Sequence, residues 1–89
     1  MADVIDISLT RHLTATVDRL LEERGLPFFL KRGGGLPFSI DDRRILLAVE
    51  LAARRAGRKP AEGARKAAFE RVRKRLIKQV AAALVQVGL

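Results

Sequence analysis

Arg58, Lys59, Arg65, Lys66, Arg71, Lys74, Arg75 and Lys78 are the residues of this chain whose type and spacing could do chemistry. Arg71, Lys74 or Arg75, and Lys78 recur at three- and four-residue steps, which places them on one face of a helix. Like charges at that spacing repel by a few tenths of a kcal/mol per pair, and only Glu62 and Glu70 are at hand to relieve it. Arg58 and Lys59 stand at the start of the same segment, the helix end where cations are disfavoured. Residue choices that oppose local physics mark functional surfaces. The chemistry such groups supply is phosphate contact, through free amides at the helix start and cationic side chains along its length. With no aromatic platform among them for stacking single-stranded bases, the phosphates of a duplex are the better target.

The charge distribution supports this. Residues 1–53 hold seven Lys/Arg against eight acids, a net of −1, whereas residues 54–89 hold eleven against Glu62 and Glu70, a net of +9. The whole excess of +8 lies in the last two-fifths of the chain. Such asymmetry is expected of a protein with a polyanionic partner. A small regulator, a nucleoid-associated protein, or a phage or plasmid accessory protein would suit this size and charge. The same charge also fits a non-enzymatic, homo-oligomeric interaction module that binds an acidic protein, and a plain solvated face fits it too.

Catalytic chemistry has little to stand on. His12 is the only histidine and has no evident partner. Asp41 and Asp42 are adjacent, but a helix cap explains them better than acid–base work. Lys31-Arg32-Gly33-Gly34-Gly35 is glycine-rich yet lacks the lysine and hydroxyl that follow the glycines of a phosphate-binding loop. Cysteine is absent, which removes disulfides, thiolate catalysis and cysteine-ligated zinc. Carboxylates at metal-ligand spacing are missing as well. The expectation is therefore no enzyme, no cofactor and no metal. The start, MADVIDISLT, is acidic where a secretion signal is basic, and the apolar stretch VAAALVQVGL is about half a membrane span. A cytoplasmic protein that does not enter the membrane is expected.

The elements that must position these cations are legible from punctuation and period. The 89 residues suffice for one small domain. An all-α fold of three helices is expected, with a Gly/Pro/Phe-rich extended segment or short hairpin between the first two. Asp6 or Ser8 caps the first helix, Leu9, Leu13, Val17, Leu20 and Leu21 form its stripe, and Gly25 with Pro27 ends it. Gly-Leu-Pro-Phe then occurs at 25–28 and again at 35–38, around the turn signal at 31–35. Ser39 and Asp42 read as a capping box for the second helix. That helix is apolar nearly all round, as buried central helices are, and Gly57 stops it. The third helix runs from about Pro60 to 87, roughly 27 residues or about 40 Å. The expected core is Leu13, Val17, Leu20, Phe28, Phe38, Leu46, Val49, Ala53, Phe69, Val72 and Leu76.

Two further expectations concern the third helix. The turn Gly57-Arg58-Lys59-Pro60 suits a helix-turn-helix, but both flanking helices are long for that motif, and Ala61, Glu62 and Ala64 offer little for reading bases. A basic amphipathic helix could also lie on a membrane surface, which the missing Trp argues against. The third helix outruns the first, and its apolar seam continues through Val80, Leu84 and Val87 after charge ends at Lys78. A homodimer with Val80, Leu84 and Val87 in its interface follows. The competing arrangement folds the Phe-rich segment over this end within one chain.

Overall fold

The computed structural model describes residues 6–31, 39–57, 59–86 and 88. Among these are three α-helices, α1 (Ile7–Arg24), α2 (Asp42–Ala56) and α3 (Glu62–Gln86), so the fold is all-α as expected. No described helix is long and apolar enough to cross a membrane.

Each boundary has a local cause. The Asp6 side chain accepts a hydrogen bond from the Leu9 amide at 3.0 Å and so caps α1. Gly25 ends it at φ 78°, with its N–H donated to the Leu21 carbonyl at 2.9 Å. A side chain at that φ would be strained. Pro27 then starts a single 3₁₀ turn, Leu26–Phe29. After it the chain pairs once with itself. Leu30 and Ile40 form an isolated antiparallel bridge, flanked by Lys31 N–H to Ser39 carbonyl (2.6 Å) and Asp41 N–H to Phe29 carbonyl (2.8 Å). Residues 32–38, Phe38 among them, lie outside the described residues. The cap of α2 is Asp41, whose carboxylate accepts from the Arg43 amide at 3.0 Å. Ser39 does not cap it, because its carbonyl is engaged in the bridge and the helix begins only at Asp42. Gly57 closes α2 in the left-handed conformation, its N–H shared between the Ala53 and Arg54 carbonyls.

The helices pack around one core: Leu9, Leu13 and Val17 from α1, Ile45, Ala48, Val49, Ala52 and Ala53 from α2, and Ala64, Ala68, Val72 and Leu76 from α3. The alanines let backbones approach closely. Phe29 is fully buried among them. Phe28 meets it edge-on at 5.1 Å and lies between Arg24 of α1 and Arg44 of α2, whose guanidinium carbons are 6.0 and 4.5 Å from its ring centre. The end of α1 and the start of α2 are thus held together, and the two helices run antiparallel. Leu20, Phe28 and Phe69 pack on the core while only partly buried. Leu46, expected inside, is 51% exposed. The other two helices cover only one side of α2, and Leu46 and Leu47 fall outside it.

Two ion pairs set how α3 lies on α2. Arg65 pairs with Glu50, and eight residues on in α3, eight residues back in α2, Arg73 pairs with Asp42 at 2.8 Å. The helices are therefore antiparallel, and α2 begins level with Arg73. Residues 74–86, about 20 Å of helix, run past it. Arg75 is tied to Asp18 of α1.

Phe29→Ala should therefore cost about 3–5 kcal/mol and lower the melting temperature by more than ~10 °C. Thermal unfolding followed by circular dichroism checks this; a shift of a degree or two would mean that the 3₁₀ turn does not anchor the core.

Candidate nucleic-acid interface

Exposure of the α3 cations follows from burial of the seam about a quarter-turn away around the helix. Ala64, Ala68, Val72 and Leu76 face the core, so Arg71, Lys74, Arg75 and Lys78 are turned outward. Together with Gln79 these four line one shallow hollow of about 380 Å³. The Gln79 Oε1 is buried without a hydrogen-bond partner among the described residues. From Arg71 to Lys78 the face spans about 10 Å along the helix.

The eight cations singled out from sequence do not form one surface. Arg71, Lys74, Arg75 and Lys78 come together as described. Lys59 lies at the other end of α3, where it lines a hollow of about 330 Å³ with Arg54, Pro60 and the paired Arg65 and Glu50. Lys66 is exposed on a further side, between Glu62 and Glu70 along a groove shared with α2. Arg58 and, for the dimer interface, Val87 lie outside the described residues. Val80 and Leu84 are half-buried. Arg54 was not singled out from sequence; the left-handed turn at Gly57 brings it beside Lys59, and a basic residue on each side of a glycine is the only sequence trace of that.

The arginines and lysines of α3 divide by role. Arg65, Arg73 and Arg75 each reach a carboxylate on another helix, Glu50, Asp42 and Asp18 respectively. A planar guanidinium suits such fixed pairing. Arg71, Lys74 and Lys78 are exposed and make no ion pair among the described residues. Arg75 thus belongs to the basic face and also clamps α3 to α1, and its charge is half-spent on Asp18. No group of three metal-ligating side chains occurs among the described residues. Compared with known proteins, the chain matches no family model, no curated protein and no solved structure.

A double-mutant cycle on Asp18→Ala and Arg75→Ala should return a coupling of ~0.2–1 kcal/mol, the range of partly exposed pairs. Lys74→Ala and Lys78→Ala should each change stability by under ~0.5 kcal/mol. Urea unfolding measures both; equal costs for Arg75 and Lys74 would remove the distinction between clamp and free cation.

Proposed function

We propose that this is a small, cytoplasmic, non-enzymatic protein that binds duplex nucleic acid without strong sequence preference, through the outward face of α3. The observation that carries this reading is the unpaired triad Arg71, Lys74 and Lys78, joined by Arg75 around one hollow. A fold that needed these cations only for stability would pair them, as it pairs Arg65 and Arg73. A face about 10 Å long is comparable to the ~12 Å width of a major groove, so its ends reach phosphates on either side. Nothing on this face offers a fixed pattern of donors and acceptors to base edges, which favours backbone contact. Lys59 and Arg54 form a second, smaller cationic spot at the opposite end of α3. The protein acts as a homodimer in this reading, so that two basic faces share one assembly and raise affinity without a new kind of contact. Regulation or packaging of nucleic acid, in a chromosome, phage or plasmid setting, is the role such binding would serve.

Contact with four phosphates gives a log–log salt slope of about −3.6 per face, so a fourfold rise in salt should weaken binding by ~150-fold. Charge reversal of Arg71, Lys74 and Lys78 to Glu should flatten that slope by about 2.7. Asp18→Asn, which releases Arg75, should tighten binding. Gel-shift titrations at two salt concentrations test all three. Unchanged affinity and slope in the triple variant would reject this face. A partner protein that heparin and DNA fail to displace would point instead to an interaction module for an acidic protein.

A further inference from the structure

A different line of α3 carries an unused pattern. Glu62, Lys66, Phe69, Glu70 and Arg73 fall within about 100° of arc on the helix, and Ile77, Val80 and Leu84 continue the same line. Beside its first half, α2 makes a wall. Leu46, Val49 and Phe69 floor an open groove of about 740 Å³ there, rimmed by the charged side chains of Asp42, Glu62, Arg65, Lys66 and Glu70. Beside its second half the wall is missing, because α2 begins level with Arg73. Ile77 is 48% exposed as a result, and Leu46 on the wall is 51% exposed. Among the described residues, one line of one helix therefore carries an open groove with an apolar floor over 62–70, about 12 Å long, and an apolar ridge over 77–84, about 10 Å long, in which Ile77 is exposed and Val80 and Leu84 are half-buried.

The groove is centred on residue 66 and the ridge on about residue 80, with Arg73 midway between them. A two-fold axis beside Arg73 makes two α3 helices antiparallel and lays residue 77 of each copy over residue 69 of the other, and 80 over 66. We infer that the protein forms an isologous dimer in which Ile77, Val80 and Leu84 of each copy fill the Leu46–Val49–Phe69 groove of the other. This deepens the homodimer part of the reading above and rests on it, independently of any nucleic acid. Three features of the molecule favour a second copy as the occupant. The same operation that seats the ridge brings the other copy's α2 alongside residues 74–86, replacing the missing wall. Glu70, which makes no ion pair among the described residues, comes to lie on the same edge as Lys74 of the other copy, about 3 Å away along the axis. The two Arg73 side chains that meet at the axis are each already neutralised by Asp42 at 2.8 Å.

The basic face is centred roughly 130° around α3 from this ridge, so Arg71, Arg75 and Lys78 stay clear of the contact, while Lys74, at its near edge, is shared with Glu70 of the other copy. A contact about 37 Å long and about 10 Å wide covers ~400 Å² per copy before α2 is added, against ~800 Å² for a standard interface. That area lies at the small end of the interface range, so association is sought up to several hundred micromolar.

Sedimentation equilibrium of the full chain without nucleic acid, from low to several hundred micromolar, tests it. The mass should rise from 9.8 kDa towards twice that value. Leu46→Glu and Ile77→Lys, both at exposed positions that folding tolerates, should each weaken association at least about tenfold. An equimolar mixture of the two variants should regain it, because one seat then sets the new carboxylate against the new amine and the other is unaltered. A monomer at every concentration would overturn the dimer. Loss of association in Ile77→Lys with none in Leu46→Glu, or no recovery on mixing, would overturn the groove as its seat.

Discussion

Burial of the seam Ala64, Ala68, Val72 and Leu76 decides where every other side chain of α3 points. Full burial of Val72 and Leu76 is worth about 1.5–3 kcal/mol each, whereas each exposed ion pair contributes ~0–1 kcal/mol. The seam therefore holds α3 in place, and the pairs of Arg65, Arg73 and Arg75 adjust its register. Once the seam is fixed, the rest of the circumference is shared out. One side goes to α2 and its groove, and another to solvent and the cations. Of the residues on the basic face only Arg75 holds a neighbouring helix; Arg71, Lys74 and Lys78 make no ion pair among the described residues.

Much of this was legible in the residues, for identifiable reasons. Gly25, Pro27 and Gly57 mark boundaries through backbone chemistry that is local, so they read correctly from sequence alone, whereas the α1 cap was narrowed only to Asp6 or Ser8 and is Asp6. The length of α3 was legible too, since nothing between Pro60 and Gly88 breaks a helix. Its seam was only half legible. Spacing of the large apolar residues picks out Phe69, Val72 and Leu76, but the buried line runs through Ala64 and Ala68, whose small size serves close approach and leaves little trace in an apolar pattern. Phe69 is displaced to the groove as a result. Leu46 misleads for the opposite reason: a helix apolar on all sides does not say which side a three-helix fold will cover. Ser39 and Asp41 offer rival caps two residues apart, and the bridge at Leu30 and Ile40 chooses between them.

The candidate site shows the same division. Grouping Arg71, Lys74, Arg75 and Lys78 needs only the helical period. Removing Arg65 from their company, and recognising Arg75 as half-engaged, needs partners that are remote in sequence. Asp18 stands 57 positions from Arg75, and Asp42 stands 31 from Arg73. Net charge counts all of these cations alike, while the fold neutralises some of them and leaves others bare.

That division has a chemical corollary. The cations that hold α3 to its neighbours are all guanidinium groups, which resist acylation. Two of the three unpaired cations on the open face, Lys74 and Lys78, are primary amines. Acetyl groups or other amine-directed reagents would thus erase most of the face's free charge and leave the interhelical clamps intact. On the proposed reading, acylation would weaken binding through Lys74 and Lys78 and leave the arginine clamps that hold the helices together in place.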